Sequence, residues 1–130
     1  MDNKNINLTE SEWYVLECLW ESSPRTGREI TQELEKIAGW NRSTTLTLLS
    51  RLEAKGAISS NRDGSKKTFS AALHREDAIM HETEDFLSRV YRGSLSLLVS
   101  SMTKKKALSQ KEINELYAML KDLEGGTEDA

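Results

Sequence analysis

Three short helical segments, followed at once by a β-hairpin signal, are the feature of this sequence that most narrows its fold. The first two segments begin with a capping box, a threonine followed three residues later by a glutamate: Thr9 with Glu12, and Thr26 with Glu29. The third segment begins after Asn41, a residue that favours a helix N-cap. Because each segment has its own start signal, the sequence predicts three separate helices.

Apolar residues within these segments recur at helical spacing, which predicts one buried face for each helix. Gly39 and Gly56 suit the left-handed position just beyond a helix end, so they mark where the second and third helices stop. Cys18, the single cysteine, is interpreted as a small core residue, and no intrachain disulfide can form. The residues predicted to face inward are Val15, Leu16, Leu19, Trp20, Ile30, Leu34, Ile37, Leu46, Leu48, Leu49 and Leu52.

The hairpin signal follows directly after the third helix. Two β-capable runs, 57–61 and 66–72, flank Arg62-Asp63-Gly64-Ser65, and Asp-Gly is a typical hairpin turn. Phe69 is expected to face the core. Three helices followed by a hairpin define a winged helix-turn-helix, so we predict a mostly helical α+β fold with this module at residues 1–73.

The rest of the chain is predicted to be helical. From Arg75 apolar residues follow one helical stripe, which Gly93-Ser94 interrupts, and a second apolar segment follows. Residues 103–106 are interpreted as a polar loop, and a capping box formed by Ser109 and Glu112 predicts the start of a last helix.

Single helices would leave these apolar stripes exposed to water, which indicates a second copy of the chain as the partner. We therefore predict a helical dimerisation domain at 74–124 and a disordered tail at 125–130. The residues predicted to form the dimer interface are Phe86, Leu87, Val90, Tyr91, Leu95, Leu98, Ile113, Leu116, Tyr117 and Leu120.

The distribution of charge favours nucleic acid, although the formal net charge is -3. From Ala38 to Leu73 six basic residues outnumber two acidic ones, so this segment carries +4 while the rest is acidic. A recognition helix reads the major groove of double-stranded operator DNA, and a basic wing contacts phosphates or the minor groove. The predicted DNA-contacting residues are Arg42, Ser43, Thr44, Thr47 and Arg51 in the third helix, and Arg62, Lys66 and Lys67 in the wing.

Structural roles remain as alternatives at these positions. Serine and threonine near a helix start can serve as caps or solvated residues, and wing lysines can protect an edge strand against aggregation. His74 and His81, seven residues apart, leave a metal site as an alternative, but we predict none. No catalytic triad, phosphate loop or HExxH motif occurs, so we predict neither enzymatic activity nor a cofactor. No apolar run reaches membrane length, so we expect a cytoplasmic protein without membrane insertion.

Several segments resemble the penicillinase repressor family, the BlaI/MecI/CopY group of winged-helix repressors, across nearly the whole chain. They are Leu8-Thr-Glu-Ser-Glu12, the run from Trp40 to Leu52 with Lys55-Gly56-Ala57, and the segments that begin at Phe86 and Leu108. The resemblance implies a homodimeric repressor on a palindromic operator. It also implies release when a membrane-bound sensor protease system triggers cleavage in the C-terminal part, which would separate the dimer.

The sequence departs from this family at three places. Ser101-Met102 stands where the β-lactam-sensing members have the cleaved Asn-Phe bond, and the C-terminal segment lacks the cysteine cluster of the copper-sensing branch. Ser43 stands where several relatives have lysine. The inducing signal and the operator sequence are therefore left open.

Two other functions fit the same fold. A ligand-sensing regulator would hold a small molecule in a pocket, for which Trp40, Phe86 and Tyr91 are candidate lining residues. A winged helix can also serve only in protein contacts, which the +4 segment argues against. Charge reversal at Arg42 and Arg51 separates the cases, because DNA binding collapses only if these residues face DNA.

Overall fold

Side-chain caps define where the first three helices begin. The computed structural model describes residues 5–105 and 108–128, with side chains through 126. The helices are α1 (Glu10–Glu21), α2 (Gly27–Ala38) and α3 (Arg42–Lys55). The two predicted capping boxes are confirmed, with Thr9 and Thr26 as N-caps, and the Asn41 side chain accepts a hydrogen bond from the backbone of Thr44.

Two glycines end helices as the sequence predicts. Gly39 follows α2 with a φ of 70°, and Gly56 follows α3 with a φ of 82°. A β-carbon is strained in this left-handed region, so glycine is the residue best suited to both positions.

A small antiparallel sheet completes the N-terminal module. It consists of β1 (Arg25–Thr26), β2 (Ile58–Asp63) and β3 (Lys66–Ala71) in the order β1-β3-β2. The sequence did not predict β1, which joins the sheet by pairing Arg25 with Phe69. We call the β2-β3 hairpin, residues 58–71, the wing. The fold is a winged helix-turn-helix, as predicted.

The turn of the wing is shorter than the sequence predicted. Arg62 pairs with Lys67 and Asp63 with Lys66, so both belong to β2 and only Gly64 and Ser65 lie between the strands. Gly64 has a φ of 65°. A two-residue turn with positive φ matches the right-handed twist of a hairpin, which allows the pairing to continue to the tip.

The core lies between the three helices and the sheet, and most of the predicted inward residues are buried there, with Cys18 and Phe69 among them. Two predictions were wrong: Leu46 is 38% exposed and Ile37 is 55% exposed. Thr45 is buried instead, because residues 45, 48, 49 and 52 form the inward stripe of α3 at helical spacing. Ile37 lies on the same face as Ile30 and Leu34, but in the last turn of α2, where the core no longer covers it.

The helix α4 (Arg75–Tyr91) begins in contact with α1. The Trp20 indole donates to the Leu73 carbonyl over 2.8 Å, and Arg75 donates to the Glu17 carboxylate over 2.8 and 3.2 Å. These hydrogen bonds from Arg75 lower the pKa of Glu17. The start of α4 therefore belongs to the N-terminal module.

Internal contacts divide the chain into two units, Met1–Asp85 and Phe86–Ala130, so the division falls within α4. The predicted domain boundary at 73/74 remains a prediction. The second unit contains α5 (Leu95–Lys105) and α6 (Gln110–Glu128), and Ser109 caps α6 by accepting from the backbone of Glu112 over 3.1 Å. None of the described helices is long and apolar enough to cross a membrane.

Both C-terminal helices are longer than the sequence predicted. The segment 103–105 is helical rather than a loop, and Lys106 lies outside the described residues. The segment 125–128 continues α6, whereas a disordered tail was predicted from 125, and residues 129–130 lie outside the described part. Neither segment contains a proline, which would end the helix. The helical backbone hydrogen bonds can therefore continue beyond the apolar stripe.

Candidate nucleic-acid interface

The outer face of α3 carries the residues that the sequence predicts to contact DNA. Arg42, Ser43, Thr44, Thr47 and Arg51 are all exposed, while Leu48, Leu49 and Leu52 anchor the opposite face in the core. A helix that is anchored on one side presents the other side as a rigid unit, which suits insertion into the major groove.

The hydroxyl of Thr47 already has a partner within the helix. It donates to the carbonyl of Ser43 over 2.9 Å. The remaining lone pair of this oxygen can accept a hydrogen bond from a base amino group, and the γ-methyl group can contact a thymine. Thr47 can therefore discriminate between bases without breaking its own hydrogen bond.

The start of α2 contributes residues that the sequence analysis missed. Arg42 and Leu46 of α3 share a surface hollow with Gly27, Arg28, Thr31 and Gln32 of α2. In a helix-turn-helix the first helix crosses the DNA backbone, and its N-terminal amides favour anions. The signal in the sequence was Arg28 in the first turn of a capped helix that precedes the recognition helix.

The wing presents a basic tip. Arg62, Lys66 and Lys67 are all exposed, and their nearest acidic neighbour along the strands is Asp63. The Lys67 ammonium lies 5.3 Å from the centre of the Phe69 ring. A cation that rests partly on an aromatic face keeps a defined position.

Glu53 connects the wing to the recognition helix, a contact that the sequence did not predict. Its carboxylate accepts a short hydrogen bond from Ser60 of β2 and lies 3.9 Å from the Lys67 Nζ of β3. One α3 side chain thus contacts both strands of the wing. The two predicted DNA-binding elements are therefore in direct contact through this side chain.

A buried carboxylate holds the C-terminal end of α3 against α1. Glu12 is 1% exposed, and its Oε1 accepts from the Lys55 ammonium over 2.6 Å and from the Thr9 amide over 2.8 Å. Burial on its own would raise the pKa of Glu12, but the hydrogen bonds from Lys55 and Thr9 and the charge of Lys55 outweigh it, so the pKa is lowered. Glu12 is therefore an ionised anchor of the recognition helix.

The predicted dimer-interface residues lie in the second unit, and their side chains are exposed or half-buried. Among the described side chains of 86–105 and 108–126 none is buried. Phe86 and Tyr91 contact each other edge to face, with ring centres 5.8 Å apart. An apolar surface of this kind needs a covering partner.

The remaining predicted residues occupy separate places. Ser101 and Met102 are exposed within α5. Trp40, a candidate pocket residue, contacts Tyr14 with ring centres 5.5 Å apart. The His81 Nε2 lies 2.7 Å from the Asn7 Oδ1. Within the part of the chain that the structure describes, no three histidine, cysteine or carboxylate side chains converge on a metal site.

Comparison with known proteins assigns this chain to a family. A family model described as penicillinase repressor matches residues 8–122. The chain belongs to the penicillinase repressor family. Within the family it is 30% identical over 120 residues to the methicillin resistance regulatory protein MecI of Staphylococcus aureus (strain N315), covering 92% of this chain and 98% of MecI.

A second relative is the penicillinase repressor of Bacillus licheniformis, which is 31% identical over 115 residues, covering 88% of this chain and 90% of the relative. Among solved structures, the monomeric form of Bacillus licheniformis BlaI in complex with the blaP half-operator is 27% identical with a TM-score of 0.50. That likeness covers 55% of this chain and 87% of the BlaI chain. These similarities confirm the resemblance noted in the sequence.

Proposed function

We propose that this protein is a cytoplasmic transcriptional repressor, not an enzyme, that binds a palindromic operator in double-stranded DNA as a homodimer. The observation that carries the proposal is the exposed polar and basic face of α3, which Glu53 ties to a basic wing in a chain of the penicillinase repressor family. BlaI, which shares this fold at 27% identity, is described in complex with a half-operator.

The second unit supports the homodimer part of the proposal. Its described helices expose large apolar residues, for example Leu95 at 60%, Tyr117 at 67% and Leu120 at 59%. A second copy of the chain brings an identical apolar surface, and twofold symmetry lets each copy cover the other. Two copies then place two recognition helices on the two half-sites of a palindrome.

Release by a membrane-bound sensor protease system stays a prediction from the resemblance. Ser101 and Met102 are accessible, but they lie within α5, whose backbone is hydrogen-bonded. A protease would have to unwind this helix locally before it could cleave the bond. The substitution of the Asn-Phe pair by Ser-Met gives a different recognition sequence, so the trigger is a separate question from DNA binding.

The test is a fluorescence-anisotropy titration of the protein against duplexes recovered by selection from a random library. We expect at least thousandfold preference for the selected duplex over a scrambled one, with affinity that falls steeply as salt rises. Arg42→Glu and Arg51→Glu should each strongly weaken binding to the selected duplex. Lys111→Glu, an exposed charge reversal in the second unit, is the matched control and should leave this binding intact.

Two outcomes would contradict the proposal. Equal weak binding to the selected and scrambled duplexes would exclude a specific repressor. Unchanged DNA affinity in Arg42→Glu and Arg51→Glu would show that α3 does not face DNA, and would leave a winged helix that serves in protein contacts.

A further inference from the structure

Leu46 is an exposed apolar side chain in the middle of the polar face of α3. It is 38% exposed, and it lines a surface hollow together with Arg42, Ser43, Thr47 and Ser50. The sequence predicted Leu46 as a core residue, but Thr45 occupies that inward position. A leucine on this face therefore needs an explanation other than packing.

The structure holds the Leu46 side chain in a defined place. It takes part in three hollows, one toward α2, one along α3 and one toward the wing. A methyl group added at Gly27 would lie 3.9 Å from the Leu46 Cδ2, so the first turn of α2 backs this side chain. Leu46 thus lies at the centre of the face, supported from one side and open on the other.

The chemistry of the major groove limits what such a side chain can contact. Base edges there present hydrogen-bond donors and acceptors, which lose water without compensation against a leucine. The exception is the 5-methyl group of thymine, which gains from apolar contact. The neighbouring Arg42, one helical turn earlier, supplies the charged contact that a guanine or a phosphate needs.

We propose that Leu46 is a specificity-determining residue that reads the 5-methyl group of a thymine in each operator half-site. The proposal rests on the proposed function, because it needs α3 in the major groove. The proposal extends that function by naming the base, a thymine at the centre of the half-site, next to the position that Arg42 reaches.

The experiment removes only the methyl group. In the duplex recovered by selection with the full-length protein, each thymine of one half-site is replaced in turn by deoxyuridine, and Kd is measured by anisotropy. Loss of one buried methyl contact should weaken binding about fourfold at one thymine, which equals about 0.8 kcal/mol. The same duplexes are measured with Leu46→Ala. Any effect of the methyl group on DNA shape is the same for both proteins, so it cancels in the comparison.

We expect the deoxyuridine penalty to disappear in Leu46→Ala, to be retained in large part in Leu46→Met, and to be unchanged in Ile37→Ala. Ile37 is the matched control, since it is an exposed apolar residue at the end of α2. Circular-dichroism melts check that each variant is folded, which is expected because the Leu46 side chain is not buried.

The outcomes separate the two proposals. A selected operator whose deoxyuridine penalties are the same for the wild type and Leu46→Ala overturns the role of Leu46 and leaves the repressor function standing. An operator without thymine in the centre of the half-site would also overturn the role of Leu46 and leave the repressor function standing. Failure to select any specific duplex overturns both.

Discussion

Glu12 shows how a single buried charge supports the recognition helix. Its Oε1 binds Lys55 of α3 and the amide of Thr9, whereas its Oε2 has no hydrogen-bond partner among the described residues. The Lys55 side chain is 35% exposed, so water lowers the strength of the pair. The contribution to stability is therefore expected to be moderate.

Glu12→Gln should lower the free energy of unfolding by about 1–2 kcal/mol at neutral pH. Because the pKa of Glu12 lies below its ordinary value of 4.5, the ionised carboxylate stabilises the fold above that pH. The stabilisation is lost as pH falls through the lower, folded-state pKa. Urea unfolding of both proteins across pH 2.5 to about 7 would show the difference shrinking on the acid side.

Glu17→Gln is the control for this measurement. Glu17 also binds a basic residue, Arg75, but its side chain is 49% exposed. An exposed pair contributes about 0–1 kcal/mol, so this variant should lose less stability than Glu12→Gln. Equal losses in the two variants would show that burial does not set the strength of the Glu12 contact.

Thr45 is buried in the core with its hydroxyl unpaired among the described residues. Valine has nearly the same shape and no polar group, so Thr45→Val should raise the free energy of unfolding by about 1 kcal/mol. Thermal and urea unfolding measure the change. The control is Thr47→Val, where the exposed hydroxyl donates to Ser43 and no gain is expected. A loss of stability in Thr45→Val would reveal a partner for the hydroxyl.

Among the elements, the wing is joined to α3 in addition to the pairing of its own two strands. Glu53 contacts Ser60 and Lys67, and β1 pairs with β3 on the other side. The wing is therefore contacted by α3 and paired with β1. A wing fixed in this way can add phosphate contacts at a constant distance from the recognition helix.

Lys66→Ala and Lys67→Ala should each reduce the steepness of the salt dependence of DNA binding by about 0.9 in the plot of log K against log salt concentration. The physical reason is that each phosphate contact releases about one counterion. Affinity for the selected and scrambled duplexes should fall by a similar factor, because phosphates carry no sequence information. Lys111→Ala serves as the control. A change in base preference without a change in slope would contradict phosphate contact by the wing.

In the molecule as a whole, the two units differ in how far one chain buries their apolar side chains. The N-terminal unit has a closed core around Leu16, Leu34 and Leu52, each 0% exposed. The second unit has no buried side chain among its described residues. The first completes its core within one chain, whereas the second leaves its apolar side chains for the proposed dimer to cover.

Leu120→Glu and Tyr117→Glu should convert the protein to a monomer, because the dimer would bury an unpaired charge. Sedimentation velocity measures the oligomeric state. Binding to an operator with two half-sites should weaken about a hundredfold or more, while affinity for a single half-site should stay the same. Asp122→Lys changes the charge of an exposed residue on the other side of α6, two positions from Leu120, and should remain dimeric. Dimers in both Glu variants would place the interface elsewhere.

The positions of the helices could be predicted from the sequence because the signals that set them are local. Thr9, Thr26 and Asn41 cap residues only three positions away, and Gly39 and Gly56 act through their own backbone angles. The same local signals predicted the winged helix-turn-helix and the five exposed residues of α3 that are candidates for DNA contact.

Features that depend on contacts between residues far apart in the chain could not be predicted from the sequence. The pairing of Arg25 with Phe69 and the contacts of Glu53 with the wing join segments with no common local signal. Thr45 and Leu46 lie about 100° apart around α3, and Thr45 lies on the side shared by Leu48, Leu49 and Leu52. An apolar pattern containing four leucines favours Leu46 as the inward residue, whereas the structure buries Thr45. The packing of α1, α2 and the sheet against α3 decides between these two residues, and with it which side chain lies on the exposed face of α3.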